Sequence, residues 1–230
     1  MEGLLAAFGV TAVFAALAYA VGMVSRGGAL GGFVVGVLIY ASLGPQGFAI
    51  LALFVLCGSL LTRLGYARKL HAGTAEVAGG RRGAKNALAN CTVAVNCALL
   101  YALTSTDAFA AAFVASLGAA FADTAESEVG QLYARAPRLV TSLSRVPPGT
   151  DGAVSVPGTL AGVTAAALTA ALGYALGLVD GAPSMLLVAG ASFFGTVVDS
   201  LVGALALRVG NELTNVLCTL VAALLALAFA

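Results

Sequence analysis

The chain contains little charge and no tryptophan. Of its 230 residues, 9% are charged and 60% are hydrophobic, whereas about 25% of the residues in an average soluble domain are charged. So few charges cannot cover a globular surface, and the mean hydropathy of +1.02 excludes a disordered chain. The balance of 11 basic against 10 acidic residues predicts no nucleic-acid binding. The composition is that of an integral membrane protein.

Several catalytic and metal-binding signatures are missing. The single histidine, His71, has no CxxC pair near it, and no zinc-ligand spacing occurs in the chain. The four cysteines lie in apolar runs, which predicts small buried side chains: Cys57, Cys91, Cys97 and Cys218. The sequence has no GxxxxGKS or GxxxxGKT loop, no HExxH and no GxSxG. The remaining candidates for a functional site are carboxylates, basic groups, amides and glycines.

Apolar runs separated by polar breaks predict an all-α polytopic membrane protein of about eight transmembrane helices. The predicted spans are 3–24, 29–43, 46–62, 87–104, 108–122, 156–179, 184–207 and 213–230. The second and fifth spans are short, which predicts tilted or re-entrant segments. The first has no basic stretch before it, which is typical of a retained helix rather than a signal peptide. We expect one transmembrane domain over 1–230, with longer polar loops at 63–86 and 123–155.

The basic residues show a strong bias between the two sides of the predicted membrane. If the spans alternate in direction, one side holds all of them: Arg26, Arg63, Arg68, Lys69, Arg81, Arg82, Lys85, Arg135, Arg138, Arg145 and Arg208. The other side holds Glu2, Asp107 and Asp180. By the positive-inside rule, the basic side faces the cytoplasm. We predict a multi-pass protein of the cell (inner) membrane with both termini outside.

Two segments of the chain have related sequences, ASLGAAFADT at 115–124 and ASFFGTVVDS at 191–200. Their offset of 76 residues predicts a parallel repeat of a two-helix unit, in which Asp123 and Asp199 are equivalent. Asp199 would lie roughly 13 Å from the cytoplasmic end of its span. A carboxylate at mid-membrane costs on the order of 2.5–3.5 kcal/mol. That cost favours a functional group, with a helix-packing aspartate as the alternative.

Further polar residues cluster at the predicted cytoplasmic boundary. Asp123, Glu126 and Glu128 supply the oxygen ligands that Mg²⁺ prefers. Glycine-rich segments before the fourth and sixth spans would bring backbone N–H groups to phosphate. The polar residues of these segments and the nearby amides are Arg81, Arg82, Lys85, Asn86, Asn90, Arg145, Thr150, Asp151, Ser155, Asn211 and Asn215. This set is typical of phosphoryl transfer, which depends on positioning and charge neutralisation.

These segments together resemble the transmembrane protein 19-like family of integral membrane proteins, which includes phytyl-phosphate kinase of vitamin E biosynthesis. The similar segments are CGSLLTRLGYARK at 57–69, LAN at 88–90, ADTAESEVG at 122–130, RVPPGTDGAVSVPGTLAG at 145–162, GTVVDSLVGA at 195–204 and NELTN at 211–215. The resemblance implies a kinase that transfers the terminal phosphate of a nucleoside triphosphate, CTP by analogy, to an isoprenoid monophosphate. Phytyl or geranylgeranyl phosphate would be the acceptor, and the diphosphate the product.

The resemblance also implies roles for individual residues. Asp123 and Glu128 would form the acidic pair of the first signature, and Asp199 with Ser200 would belong to the second. Further binding residues would be Ser59, Thr62, Arg63, Lys69, Asn90, Gly149, Thr150, Asp151, Gly152, Asn211 and Asn215. Asp123 and Glu128 are about 140° apart on an ideal helix. Glu128 could therefore join Asp123 as a ligand if the helix ended near Thr124; otherwise Glu126 shares the face of Asp123.

The sequence thus leads to one main hypothesis and one alternative. Mg²⁺ would be held by Asp123, Asp199 and one glutamate, while Arg81, Arg82, Lys85 and Arg145 would hold the phosphates. The isoprenoid tail would lie between helices near Phe113, Phe121, Phe193 and Phe194. The alternative is a transporter or lipid-moving protein that uses the same intramembrane acids. Homodimer formation is left open by the sequence.

Overall fold

A computed structural model describes residues 2–205 and 210–229 of the chain. Those ranges form α1 (Glu2–Ala20), α2 (Arg26–Arg63), α3 (Tyr66–His71), α4 (Val77–Gly80), α5 (Ala84–Thr104), α6 (Asp107–Tyr133), α7 (Val156–Ala175), α8 (Gly181–Ala204) and α9 (Asn211–Phe229), with the short strands β1 (Arg138–Leu139) and β2 (Ala153–Val154). Seven of the helices are long and apolar enough to cross a membrane. The all-α polytopic fold is confirmed.

Helix α2 accounts for the difference between seven membrane-length helices and the eight spans predicted. Its 38 residues are interrupted at Gly44, which has φ 65° and ψ −162° and is followed by Pro45. Glycine tolerates the positive φ, and proline has no N–H to donate to the preceding turn. Gly28 and Gly58, near opposite ends of α2, both lie against Arg82. The helix therefore folds back on itself, and its two halves correspond to the second and third predicted spans.

Helix α6 lies at the centre of the bundle and contacts α2, α5, α7, α8 and α9. Its buried residues are mostly Ala, Gly and Ser, which allow neighbouring helices to approach closely. The prediction of a short fifth span over 108–122 is wrong, because the helix continues through the acidic segment to Tyr133. The second long loop consequently covers 134–155 rather than 123–155.

The two segments of the predicted repeat lie side by side in the structure. The Ser192 hydroxyl on α8 donates to the Ala115 carbonyl on α6 at 3.1 Å. A side chain at position 118 would collide with Ser192, so Gly118 allows the two helices to pack closely. Because α6 and α8 run in the same direction, this contact brings the Asp123 and Asp199 regions to the same end of the bundle.

The loops that carry the basic residues also meet at that end, which we call the loop end. The Arg82 backbone N–H donates to the Met23 carbonyl at 3.1 Å. The Arg63 guanidinium donates to the Val21 carbonyl at 2.8 Å. Thr74 lies against Gly149, and this contact connects the first long loop, which contains Thr74, to the 134–155 loop. Arg208, part of the predicted charge bias, lies outside the described residues.

Candidate functional site

A polar cavity of about 230 Å³ opens at the loop end, between α5, α6, α8, α9 and the 134–155 loop. It brings together most of the residues that the sequence predicted for the site. These residues are Thr62, Arg82, Asn86, Asn90, Asp123, Glu126, Glu128, Gly149, Thr150, Asp151, Gly152, Ser155, Asp199, Ser200, Asn211 and Asn215. They come from segments up to 153 positions apart in the chain, between Thr62 and Asn215.

Six other predicted residues do not line this cavity. Arg81, Lys85 and Arg145 are exposed at the loop end and do not line the cavity. Ser59 is fully buried, and its hydroxyl has no hydrogen-bond partner in the described part of the chain. The remaining two are Arg63, which binds the α1–α2 loop, and Lys69, which lies behind the cavity wall.

The cavity wall carries a large excess of negative charge. Six carboxylates line it, from Glu76, Asp123, Glu126, Glu128, Asp151 and Asp199, against one basic side chain in the described ranges, Arg82. In a partly desolvated site such repulsion is stronger than in water. A wall of this composition favours cations over anions.

Arg82 is held firmly within this acidic wall. Its guanidinium donates to the Thr124 hydroxyl at 3.2 Å and lies 5.4 Å from the centroid of the Phe54 ring. Burial lowers the pKa of Arg82, and the nearby Glu128, Glu76 and Asp123 carboxylates oppose that shift. The backbone of Arg82 also pairs with Val24 in a β-bridge, which orients its side chain inward while Arg81 points out.

Glu128 forms a buried ion pair with Lys69. The Lys69 ammonium donates to Glu128 Oε2 at 2.5 Å and to the carbonyls of Leu61 and Thr62 at 3.1 and 2.8 Å. Lys69 is 1% exposed and Glu128 11% exposed. This pair attaches α3 and the end of α2 to α6. Because α6 stays helical beyond Thr124, the condition under which Glu128 would join Asp123 as a ligand is not met.

Glu126 points toward α7 and the cavity. The Thr159 hydroxyl donates to Glu126 Oε1 at 3.2 Å. The other oxygen, Oε2, lies where a side chain at Gly162 would reach, so that glycine leaves room for the carboxylate. Glu126 also lies within Coulombic range of both Asp123 and Asp199. By its position, Glu126 is the glutamate that groups with these two aspartates.

Asp123 and Asp199 face the cavity from the two parallel helices of the repeat. The Asp199 Oδ1 atom is buried and has no hydrogen-bond partner among the described residues. An unsatisfied buried carboxylate oxygen is a position where a cation fits. Within 2–205 and 210–229, no three acidic, histidine or cysteine side chains are close enough to form a complete metal site. Mg²⁺ commonly needs only one or two carboxylates, with water and substrate phosphates as its other ligands.

The glycine-rich turn forms one rim of the cavity. Thr150 donates to the Pro147 carbonyl through its hydroxyl at 2.8 Å and through its N–H at 3.3 Å. Gly149 and Gly152 have φ angles of 83° and 74°, a region that favours glycine. Ser155 caps α7 by accepting a hydrogen bond from the Gly158 N–H at 3.3 Å.

Sequence reasoning left Glu76, Thr124 and Gln131 out of the site, although all three line the cavity. Glu76 accepts a hydrogen bond from Asn86 Nδ2 at 3.4 Å. Its segment, TAEVAGG at 74–80, has no motif that signals a site. Glu76 reaches the cavity because its loop folds over α5, which the sequence does not reveal.

The phenylalanines expected to hold the isoprenoid tail differ in burial. Phe113 and Phe121 are buried within the core around α6, with 0% and 4% exposure, whereas Phe194 is 51% exposed. A separate apolar cavity lies between α1, α2 and α5.

We expect Lys69→Met to lower the free energy of unfolding by about 3–5 kcal/mol, because it leaves Glu128 buried without its partner. The double variant Lys69→Met/Glu128→Gln is expected to recover most of that loss. The measurement is the unfolding midpoint of the detergent-solubilised protein, with the exposed neighbour Arg68→Met as control. A double variant as unstable as Lys69→Met alone would contradict the ion-pair interpretation.

The chain is similar to three curated relatives. It is 38% identical over 186 residues to an uncharacterised membrane protein of Synechocystis sp., covering 80% of this chain and 72% of the relative. It is 35% identical over 198 residues to an uncharacterised membrane protein of Methanocaldococcus jannaschii, covering 84% and 80%. It is 31% identical over 185 residues to the chloroplastic protein VTE6 of Arabidopsis thaliana, covering 78% of this chain and 55% of that protein.

No solved structure matches the chain. The sequence pattern of the integral membrane protein DUF92 family matches residues 9–223, which include every residue that lines the polar cavity. The multi-pass architecture agrees with the description of that family. The chain therefore belongs to the DUF92 family of integral membrane proteins.

Proposed function

We propose that this protein is a membrane-embedded kinase that transfers the terminal phosphate of a nucleoside triphosphate to an isoprenoid monophosphate. The observation that carries the proposal is the acidic polar cavity, which Asp123 and Asp199 line from two parallel helices. The similarity of the ADTAESEVG and PPGTDGAVS segments to the transmembrane protein 19-like family supports the same reaction.

Mg²⁺ fits this cavity, because Asp199 Oδ1 lacks a partner and the wall has a six-to-one excess of acidic over basic side chains in the described ranges. Asp123 and Asp199 would hold the ion, with Glu126 nearby. The bound ion would neutralise charge on the transferring phosphate. Glu128, already paired with Lys69, would instead keep the loop end closed around the site.

The residues of the chain bind and orient the two phosphate-bearing substrates. Arg82, fixed by Thr124 and Phe54, directs its N–H groups at phosphate oxygens. The turn at 149–152 and the amides of Asn90, Asn211 and Asn215 would hydrogen-bond to phosphates or to the nucleoside. An acceptor phosphate is already ionised at neutral pH, so the reaction needs positioning and charge neutralisation rather than a strong general base.

The same proposal sets the orientation in the membrane. The loop end would face the cytoplasm of the cell (inner) membrane, where nucleoside triphosphates are present, with both termini outside. CTP is the donor that the family resemblance favours, and phytyl or geranylgeranyl phosphate the acceptor. Membrane lipid surrounds the remaining faces of the bundle, on which large apolar side chains are exposed.

A phosphate-transfer assay tests the proposal. Purified protein in detergent is incubated with γ-labelled CTP, Mg²⁺ and geranylgeranyl monophosphate, and labelled prenyl diphosphate is expected as product. ATP, GTP and UTP are tested in parallel, and EDTA is expected to abolish transfer. No transfer with any of the four nucleotides would reject the kinase proposal. Flux of prenyl phosphate across vesicles without nucleotide would then support a transporter.

A further inference from the structure

The apolar cavity between α1, α2 and α5 shares a wall with the polar cavity. Arg82 and Asn86 line both spaces. Apart from these two residues, the lining is almost entirely hydrocarbon, with Phe14, Val35 and Phe48 toward its deeper end. The free space is about 60 Å³, which accepts a short stretch of a hydrocarbon chain rather than its full length.

Glycines on the first half of α2 create this space selectively. A Cβ at Gly28 would collide with the Arg82 carbonyl, and one at Gly36 would lie 2.5 Å from the Thr11 methyl group. These two glycines therefore serve close packing. A Cβ at Gly32, between them, would have no atom within 4 Å, although Gly32 lines the apolar cavity. In the row formed by Gly28, Gly32 and Gly36, the middle glycine thus borders open space.

From the wall shared at Arg82, the apolar cavity extends along the first half of α2. Its lining includes Gly28 and Val35, seven residues apart on α2, which corresponds to about 10 Å along the helix axis. One end lies at Arg82, the guanidinium that faces the polar cavity. A molecule that fits both spaces must have an anionic head at Arg82 and a hydrocarbon chain directed toward Val35.

We propose that this apolar cavity binds the phosphate-proximal part of the isoprenoid chain of the acceptor, with its phosphate on the polar side of Arg82. This assignment rests on the proposed function. It places the tail between α1, α2 and α5, rather than beside the phenylalanines of α6 and α8. The small side chains of Ala15, Ala29 and Gly32 leave width for a methyl-branched chain.

Gly32→Leu tests the assignment because it fills the cavity without meeting a neighbouring atom at Cβ. We expect it to raise the KM for geranylgeranyl phosphate at least tenfold and to leave the KM for the nucleotide unchanged. Gly190→Leu is the matched control, since Gly190 is exposed on α8 and also has open space around its Cβ. Equal KM values for the two variants would overturn the assignment.

Photolabelling separates this inference from the kinase proposal. A prenyl phosphate with a diazirine on its first isoprene unit is expected to label α1, α2 or α5 in the wild-type protein, and Gly32→Leu is expected to lose that labelling. Labelling without any phosphate transfer would reject the kinase and keep the binding site. Labelling confined to α6 and α8, or unchanged in Gly32→Leu, would overturn the binding site even in an active kinase.

Discussion

Asp123→Asn and Asp199→Asn are each expected to lower phosphate transfer by about 10²–10³-fold or more, the loss seen when one preorganised electrostatic contact is removed. Each change keeps the shape of the side chain and removes the charge that would bind the cation. The folded protein is expected to remain at least as stable, because Asp123, Glu126 and Asp199 repel one another when no cation is bound.

Matched controls exist on the same two helices. Asp107 in the first turn of α6 and Asp180 at the N-cap of α8 lie outside the cavity lining, so Asp107→Asn and Asp180→Asn should retain activity. Steady-state transfer rates and Mn²⁺ binding by electron paramagnetic resonance are the two readouts. Weakened Mn²⁺ binding should accompany the loss of transfer. Wild-type activity in either Asp123→Asn or Asp199→Asn would refute the metal assignment.

Gly152→Ala is expected to lower both stability and activity strongly. Gly152 has a φ of 74°, and a Cβ there would collide with the backbone of Ala204 at the end of α8. Backbone cannot rotate away as a side chain can, so the turn or the end of α8 must move. That end follows Asp199 by five residues, so the movement would displace the aspartate from the cavity.

Gly73→Ala is the control that separates the steric collision at Gly152 from backbone strain. Gly73 has a φ of 72° and no atom within 4 Å of its Cβ position, so it measures the left-handed backbone strain alone. Gly152→Ala should lower the free energy of unfolding by on the order of 1–3 kcal/mol more than Gly73→Ala, the usual range for overpacking. Thermal unfolding in detergent and transfer rate are measured together. Equal effects of the two substitutions would show that the turn tolerates movement against α8.

Much of the fold is predictable because membrane insertion depends on local composition. Apolar runs of sufficient length must form helices in a bilayer, where unpaired backbone groups are costly. The segments 29–43 and 46–62 were therefore recognisable, although the structure joins them into one helix folded at Gly44. The length of α6 was not predictable, because its acidic end resembles a loop in hydropathy while it is covered by other elements.

Local sequence does not predict which basic residue of the 81–85 segment lines the cavity. Arg81, Arg82 and Lys85 lie within five consecutive positions, and local sequence does not distinguish their roles. In the structure, the bridge between Val24 and Arg82 turns one guanidinium into the cavity while Arg81 and Lys85 stay exposed. The choice depends on a contact across 58 residues of chain, which no local pattern contains.

Local sequence is enough to define a polytopic helical membrane protein and to mark Asp123 and Asp199 as candidate site residues. Hydrophobic length and the cost of intramembrane charge are properties of short segments, which is why both were readable. Helix packing sets which charged side chains share the cavity, pairs Glu128 with Lys69, and leaves space at Gly32. Those outcomes follow from packing between distant segments, whose geometry exists once the helices have assembled.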